Sequence, residues 1–159
     1  MVVAKGLSNG HPLSAVVAKE SVFDEYMKRN KFVFFTYGAN PLSCVAAAET
    51  LSIIEDDKIQ DHALTLGKHL GKQLDMINNK YADLCVDVRG EGLMRGIELD
   101  AKFAASIYET MKDRHILVGL GGQKKNVLRV MPPMALNEAD VDHFIETLDE
   151  VMCDYEKNM

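Results

Sequence analysis

The apolar positions of this chain follow two regimes. Over residues 1–55 they come in short clusters. Residues 2–4 and 15–18 have the length and make-up of buried strand ends, and an apolar, aromatic run over 31–37 stops at Gly38, Ala39, Asn40 and Pro41. Between these clusters Val22, Phe23, Tyr26 and Met27 share one helical face. They predict a short helix over 21–28, with Ser21 as its cap and Asp24 at the third position. Asn40 predicts another cap, with Pro41 at the first helical position, where a missing amide costs nothing. The helix that follows, over 42–54, carries Ala46, Ala47 and Ala48, small enough for another element to approach closely.

From residue 56 onward the periodicity is sustained. Ile59, Ala63, Leu66, Leu70, Leu74 and Ile77 fall on one face of a long helix. Strands are predicted over 84–88 and 93–99, around Arg89-Gly90-Glu91-Gly92 as a hairpin connection. A helix over 101–114 holds Phe103, Ile107 and Met111 in register, and strands over 116–120 and 127–131 flank a polar, glycine-rich loop. Asn137 caps the last helix, whose apolar stripe runs through Val141, Phe144, Ile145, Leu148, Val151, Met152 and Tyr155, with Leu136 and Val141 placed as a hydrophobic staple. Short antiparallel strands with helices stacked on one face make an α+β layer. The expected organisation is thus a first segment, 1–55, and a complete small α+β domain, 56–159.

Composition narrows the function. Of 159 residues, 47% are hydrophobic and 26% charged, proportions of a folded globular chain rather than a disordered one. The 18 basic and 24 acidic residues leave a net charge of −6 with no basic block, which argues against nucleic-acid binding. The longest apolar runs are too short for a membrane span. Three widely spaced cysteines form neither a disulfide framework nor a metal pattern. Five histidines are scattered; His62 and His69 share a helical face with no third ligand in sight, so no metal is expected. Gly119-Leu120-Gly121-Gly122 precedes a polar loop and a strand rather than a helix, which favours a hairpin turn over a phosphate cradle.

Two residues carry candidate chemistry. Lys5 follows an apolar strand end and precedes flexible Gly6. A lysine at the edge of a buried sheet loses hydration, which favours the neutral amine that forms a Schiff base. Arg129 lies in Val127-Leu128-Arg129-Val130-Met131, where the two-residue period puts Leu128 and Val130 on one face and Arg129 on the other. A guanidinium fork held by a rigid strand suits bidentate capture of a carboxylate. Each residue taken alone is more often an ordinary surface cation.

Four segments, in order, resemble the class III aminotransferases of fold type I, an α/β family dependent on pyridoxal 5'-phosphate. They are Lys5-Gly6-Leu7-Ser8-Asn9-Gly10-His11-Pro12-Leu13-Ser14-Ala15, Thr36-Tyr37-Gly38-Ala39-Asn40-Pro41, Val88-Arg89-Gly90-Glu91-Gly92-Leu93-Met94 and Leu128-Arg129-Val130-Met131-Pro132-Pro133. Residues 87–94 and 117–122 look most like the branch of the family that acts on alanine and glyoxylate in mitochondria.

The resemblance implies roles residue by residue. Lys5 would carry pyridoxal phosphate and shuttle the substrate's α-proton. Thr36 would donate its hydroxyl to the cofactor phosphate of the neighbouring subunit of a homodimer or homotetramer. Arg129 would bind the α-carboxylate of amino-acid and oxo-acid substrates. Ala39 stands where the family usually has glycine, at a position that wants positive φ. The implied reaction moves an amino group from an amino acid such as alanine to an oxo acid such as glyoxylate. Ornithine, acetylornithine, 4-aminobutyrate and an eliminated phospho-amine are the alternatives within the family. The resemblance also implies that this chain is the C-terminal portion of a longer enzyme, with 1–55 as the end of the large cofactor-binding domain. The aspartate that pairs with the pyridine nitrogen would lie upstream, and the chain by itself is expected to be an inactive fragment.

Overall fold

The computed structural model describes residues 1–30 and 34–158, so residues 31–33 of the predicted aromatic run lie outside the described residues. The chain divides into two compact units, Met1–Lys58 and Ile59–Met159.

The first unit opens with β1 (Val2–Val3), which pairs antiparallel with β2 (Ala15–Val16). Hydrogen bonds from the Met1 amino group to the Val17 carbonyl at 2.7 Å and from the Val17 amide to the Met1 carbonyl at 2.8 Å extend the pairing. The two apolar clusters of the sequence do pair, but as an exposed ribbon rather than a buried sheet: Val2 is 75% and Val16 60% exposed. A 3-10 turn, Lys5–Ser8, joins them. Helix α1 (Glu20–Arg29) follows, one residue longer at each end than predicted. Ser21 is not its cap. Extended Lys19 holds that position with no side-chain bond, and Glu20 places a carboxylate in the first turn, where the helix dipole favours it.

Helix α2 (Pro41–Asp56) starts as expected: the Asn40 side chain accepts from the amides of Leu42 at 3.0 Å and Ser43 at 3.3 Å. The 3-10 turn packs on this helix, and Ser8, Ser43 and Ala47, all small, are its buried residues.

The second unit starts with α3 (Ile59–Lys80), which buries Leu66, Leu70, Leu74 and Ile77 along the predicted face. Strands β3 (Cys85–Glu91) and β4 (Met94–Leu99) pair out to Glu91 opposite Met94. The connection is therefore Gly92-Leu93, tighter than the predicted four residues, because Gly90 (φ 128°) and Gly92 (φ 55°) adopt backbone that favours glycine. Helix α4 (Ala104–Asp113) is shorter than 101–114, and β5 (Gly119–Gly121), β6 (Val127–Val130) and α5 (Glu138–Glu156) complete the unit. A full capping box starts α5, with Asn137 and Asp140 exchanging side-chain and backbone bonds.

The four strands form one antiparallel sheet in the order β3-β4-β6-β5. Ile97, Leu99, Leu128 and Val130 join the apolar residues of α3, α4 and α5 in a single core, while Arg129 is exposed on the opposite face. The β3–β4 turn seats on α3 through Arg95. Its guanidinium donates to the carbonyls of Gly90 at 2.7 Å, Gly92 at 2.9 Å and Gly67 of α3 at 2.8 Å. Gly67 permits that approach: a Cβ there would lie 2.4 Å from the Gly92 carbonyl carbon.

Candidate active-site residues

Lys5 opens the 3-10 turn with φ 56°, a left-handed conformation that a lysine adopts only where its surroundings impose it. The loop behind it, with Asn9 at φ 45° and Gly10 at φ 114°, is tied by the Ser8 hydroxyl donating to the His11 carbonyl. Lys5 is exposed, so the desolvation expected of a buried sheet edge is not found in this ribbon. Its side chain instead borders a cleft of about 580 Å³, lined also by His11, Ser14, Phe35, Tyr37 and Ala39. Thr36 is exposed on the turn that supplies Phe35 and Tyr37. That turn is closed by the Gly38 amide donating to the Phe35 carbonyl at 2.9 Å, and Ala39 holds φ 53° before the Asn40 cap. The positive φ read from the glycine-like position is present, on an alanine.

Lys5 and the Thr36 turn thus belong to one unit. The donor set of the cleft suits a phosphate-bearing aromatic aldehyde: an amine at Lys5, hydroxyls at Ser14 and Tyr37, and the rings of Phe35 and Tyr37. Among the residues lining it there is no carboxylate.

Arg129 belongs to the second unit. Its strand neighbours in register are both glycines, Gly96 on β4 and Gly119 on β5. The side chain lies along β5: Cβ atoms added at Gly119 or Gly121 would sit 3.1 Å from its Nε. No side-chain bond or ion pair of Arg129 is found among the described residues.

Other polar groups on this face are paired in a way the sequence pattern does not reveal. Arg89 Nη1 contacts Asp87 at 2.7 Å and Glu98 at 2.8 Å; the bond from Arg89, with a second from Asn126, holds the Glu98 carboxyl below its usual range. The only signal in the sequence was charge alternation along two strands. Without their register it names no pair.

The two histidines expected to stand together have separate partners. His62 Nε2 meets the Leu136 carbonyl at 2.8 Å, and His69 Nε2 meets Asp142 at 2.7 Å. Glu138 also approaches His69, at 4.0 Å, so acidic groups from α5 gather at a histidine whose own helix offers no third ligand. They approach different ring nitrogens. The Gly119–Gly122 stretch is hairpin, as expected, with Gly122 at φ 83°.

Known proteins resemble this chain over nearly its whole length. The profile of the aminotransferase class-III family matches residues 1–152. The chain is 35% identical over 161 residues to an alanine–glyoxylate aminotransferase 2 homologue of Arabidopsis thaliana named as mitochondrial, covering 96% of this chain and 33% of that protein. It is 33% identical over 154 residues to an acetylornithine aminotransferase of Synechocystis, covering 94% of this chain and 34% of that one. Among solved structures, an Arthrobacter phospholyase in complex with phosphoethanolamine superposes with a TM-score of 0.90 at 28% identity, over 96% of this chain and 38% of the other. The chain belongs to the class III aminotransferases, the fold type I family of α/β pyridoxal-phosphate transferases. It spans about a third of the length of the curated relatives it matches.

Proposed function

We propose that this chain supplies the cofactor lysine and the carboxylate-binding arginine of a pyridoxal-phosphate-dependent transaminase. The observation that carries the reading is Arg129: a guanidinium with no partner of its own among the described residues, on a glycine-flanked face of a rigid sheet. Such a fork takes a substrate carboxylate through two parallel hydrogen bonds. Pyridoxal phosphate, when bound, supplies the aldehyde that condenses with an amine and the ring that accepts electrons from the α-carbon. Lys5 Nζ holds the cofactor at rest, then takes the proton from the substrate α-carbon and returns it. Thr36, exposed on its turn, offers a hydroxyl to a phosphate from outside its own cleft, which suits a homodimer or homotetramer. The carboxylate that pairs with the pyridine nitrogen comes from outside the Lys5 cleft.

Alanine as donor and glyoxylate as acceptor are the preferred substrates, with a mitochondrial setting. Both rest on the likeness to the Arabidopsis relative. The likeness to the phospholyase favours a second reading, elimination of phosphate from a phospho-amine. The test is a substrate panel on the protein carrying this chain at the length of its relatives. Alanine-dependent amination of glyoxylate supports the first reading. Phosphate release from phosphoethanolamine without amino transfer replaces it with the second. The 159-residue chain alone is expected to turn over neither.

A further inference from the structure

The exposed face of the sheet contains a choice between two arginines. Arg89 on β3 and Arg129 on β6 both stand in register with Gly96 of β4, one on each side. Two residues along β4 on the same face, Glu98 is diagonal to both, a separation that long side chains span. Gly96 itself puts no side chain between the arginines; the Val127 methyl reaches over it, 3.2 Å from where a Cβ would stand. Glu98 nevertheless pairs with Arg89, at 2.8 Å, while Arg129 turns the other way, over Gly119 and Gly121 of β5. Asn126 favours that outcome by donating to Glu98 at 3.3 Å. Asp87 completes the cluster on Arg89.

We infer that Arg89 is a positioning residue that occupies the Glu98 carboxylate and so keeps the Arg129 guanidinium open for a substrate carboxylate. The inference rests on the proposed role of Arg129. An unoccupied Glu98 would compete for Arg129 from within the chain, at an effective concentration no free amino acid matches.

The test uses the full chain with ¹⁵N-labelled arginine, the Arg129 Nε–Hε signal being assigned by its loss in Arg129→Lys. In the parent chain this guanidinium should rotate freely about Nε–Cζ. Arg89→Ala should shift the signal and slow the rotation, and adding Glu98→Gln should restore both. Arg89→Gln gives the same comparison if the alanine variant folds poorly. Pyruvate titrations on the same samples should show binding weakened up to about fivefold by Arg89→Ala, the worth of one exposed ion pair, and recovered in the double variant. An Arg129 signal unchanged by Arg89→Ala, or a change that Glu98→Gln does not reverse, overturns the inference. Pyruvate binding that is equal in the parent and Arg129→Lys chains overturns the role of Arg129 itself, and the arginine signals still decide whether Arg89 holds Glu98 away.

Discussion

Arg129 and Gly119 face each other across β6 and β5, and the arginine side chain lies in the space the glycine leaves. An added Cβ would stand 3.1 Å from both Nε and Nη2, tight against the end of a flexible side chain rather than against backbone. Gly119→Ala should therefore change stability by no more than about 0.5 kcal/mol, while pushing the guanidinium off its course. Pyruvate affinity should fall in the variant with an unchanged thermal midpoint. A loss of both together would mean that Gly119 serves the fold rather than the arginine.

Gly67 presents the opposite case. Its missing side chain is where the Gly92 backbone of the β3–β4 turn rests, 2.4 Å from an ideal Cβ, and that turn is locked by Arg95 to the Gly67 carbonyl. Gly67→Ala must separate helix from hairpin, so urea unfolding should register a loss of about 1–3 kcal/mol. Gly71→Ala meets only the end of the Arg95 side chain, at 2.7 Å, and should cost less.

These two glycines mark how far the sequence could be read. The face of α3, the Asn40 and Asn137 caps and the alternation that buries Leu128 and Val130 while exposing Arg129 all come from periodicity within one element, and all were legible. Ser21 failed as a cap because several start positions one residue apart are nearly equal in energy, and tertiary context chooses among them. The four apolar residues before Lys5 have the make-up of a buried sheet edge. The ribbon they form is exposed. The pairs Arg89–Glu98 and His69–Asp142 depend on strand register and on helix packing between residues far apart in the chain, which no local pattern encodes.

Cys85 offers a pH-dependent test of the core. It is buried at the start of β3, and burial, with the nearby Asp87 charge, pushes its thiol up to about 11. Because the folded value lies above the ordinary 9.0, the neutral thiol favours the fold. Its share of stability is fully present below about pH 9 and is lost as pH rises through about 11. The difference in urea midpoint between parent and Cys85→Ala chains should change in the parent's disfavour over that window. In native protein at pH 8, thiol reagents should modify exposed Cys44 first and leave Cys85 until unfolding. Rapid labelling of Cys85 in the folded chain would contradict its burial.

Lys5 is the residue on which the proposed chemistry depends, and covalent mapping reads it directly. The protein carrying this chain at the length of its relatives is loaded with pyridoxal phosphate, reduced with borohydride and digested, and the pyridoxyl-bearing peptide is sequenced. A single modified lysine, Lys5, is expected, with loss of that peptide in Lys5→Ala and loss of turnover with it. In the 159-residue chain alone, the label should spread over several lysines. A pyridoxyl group found at another lysine, or full turnover retained by Lys5→Ala, would contradict the role proposed for Lys5.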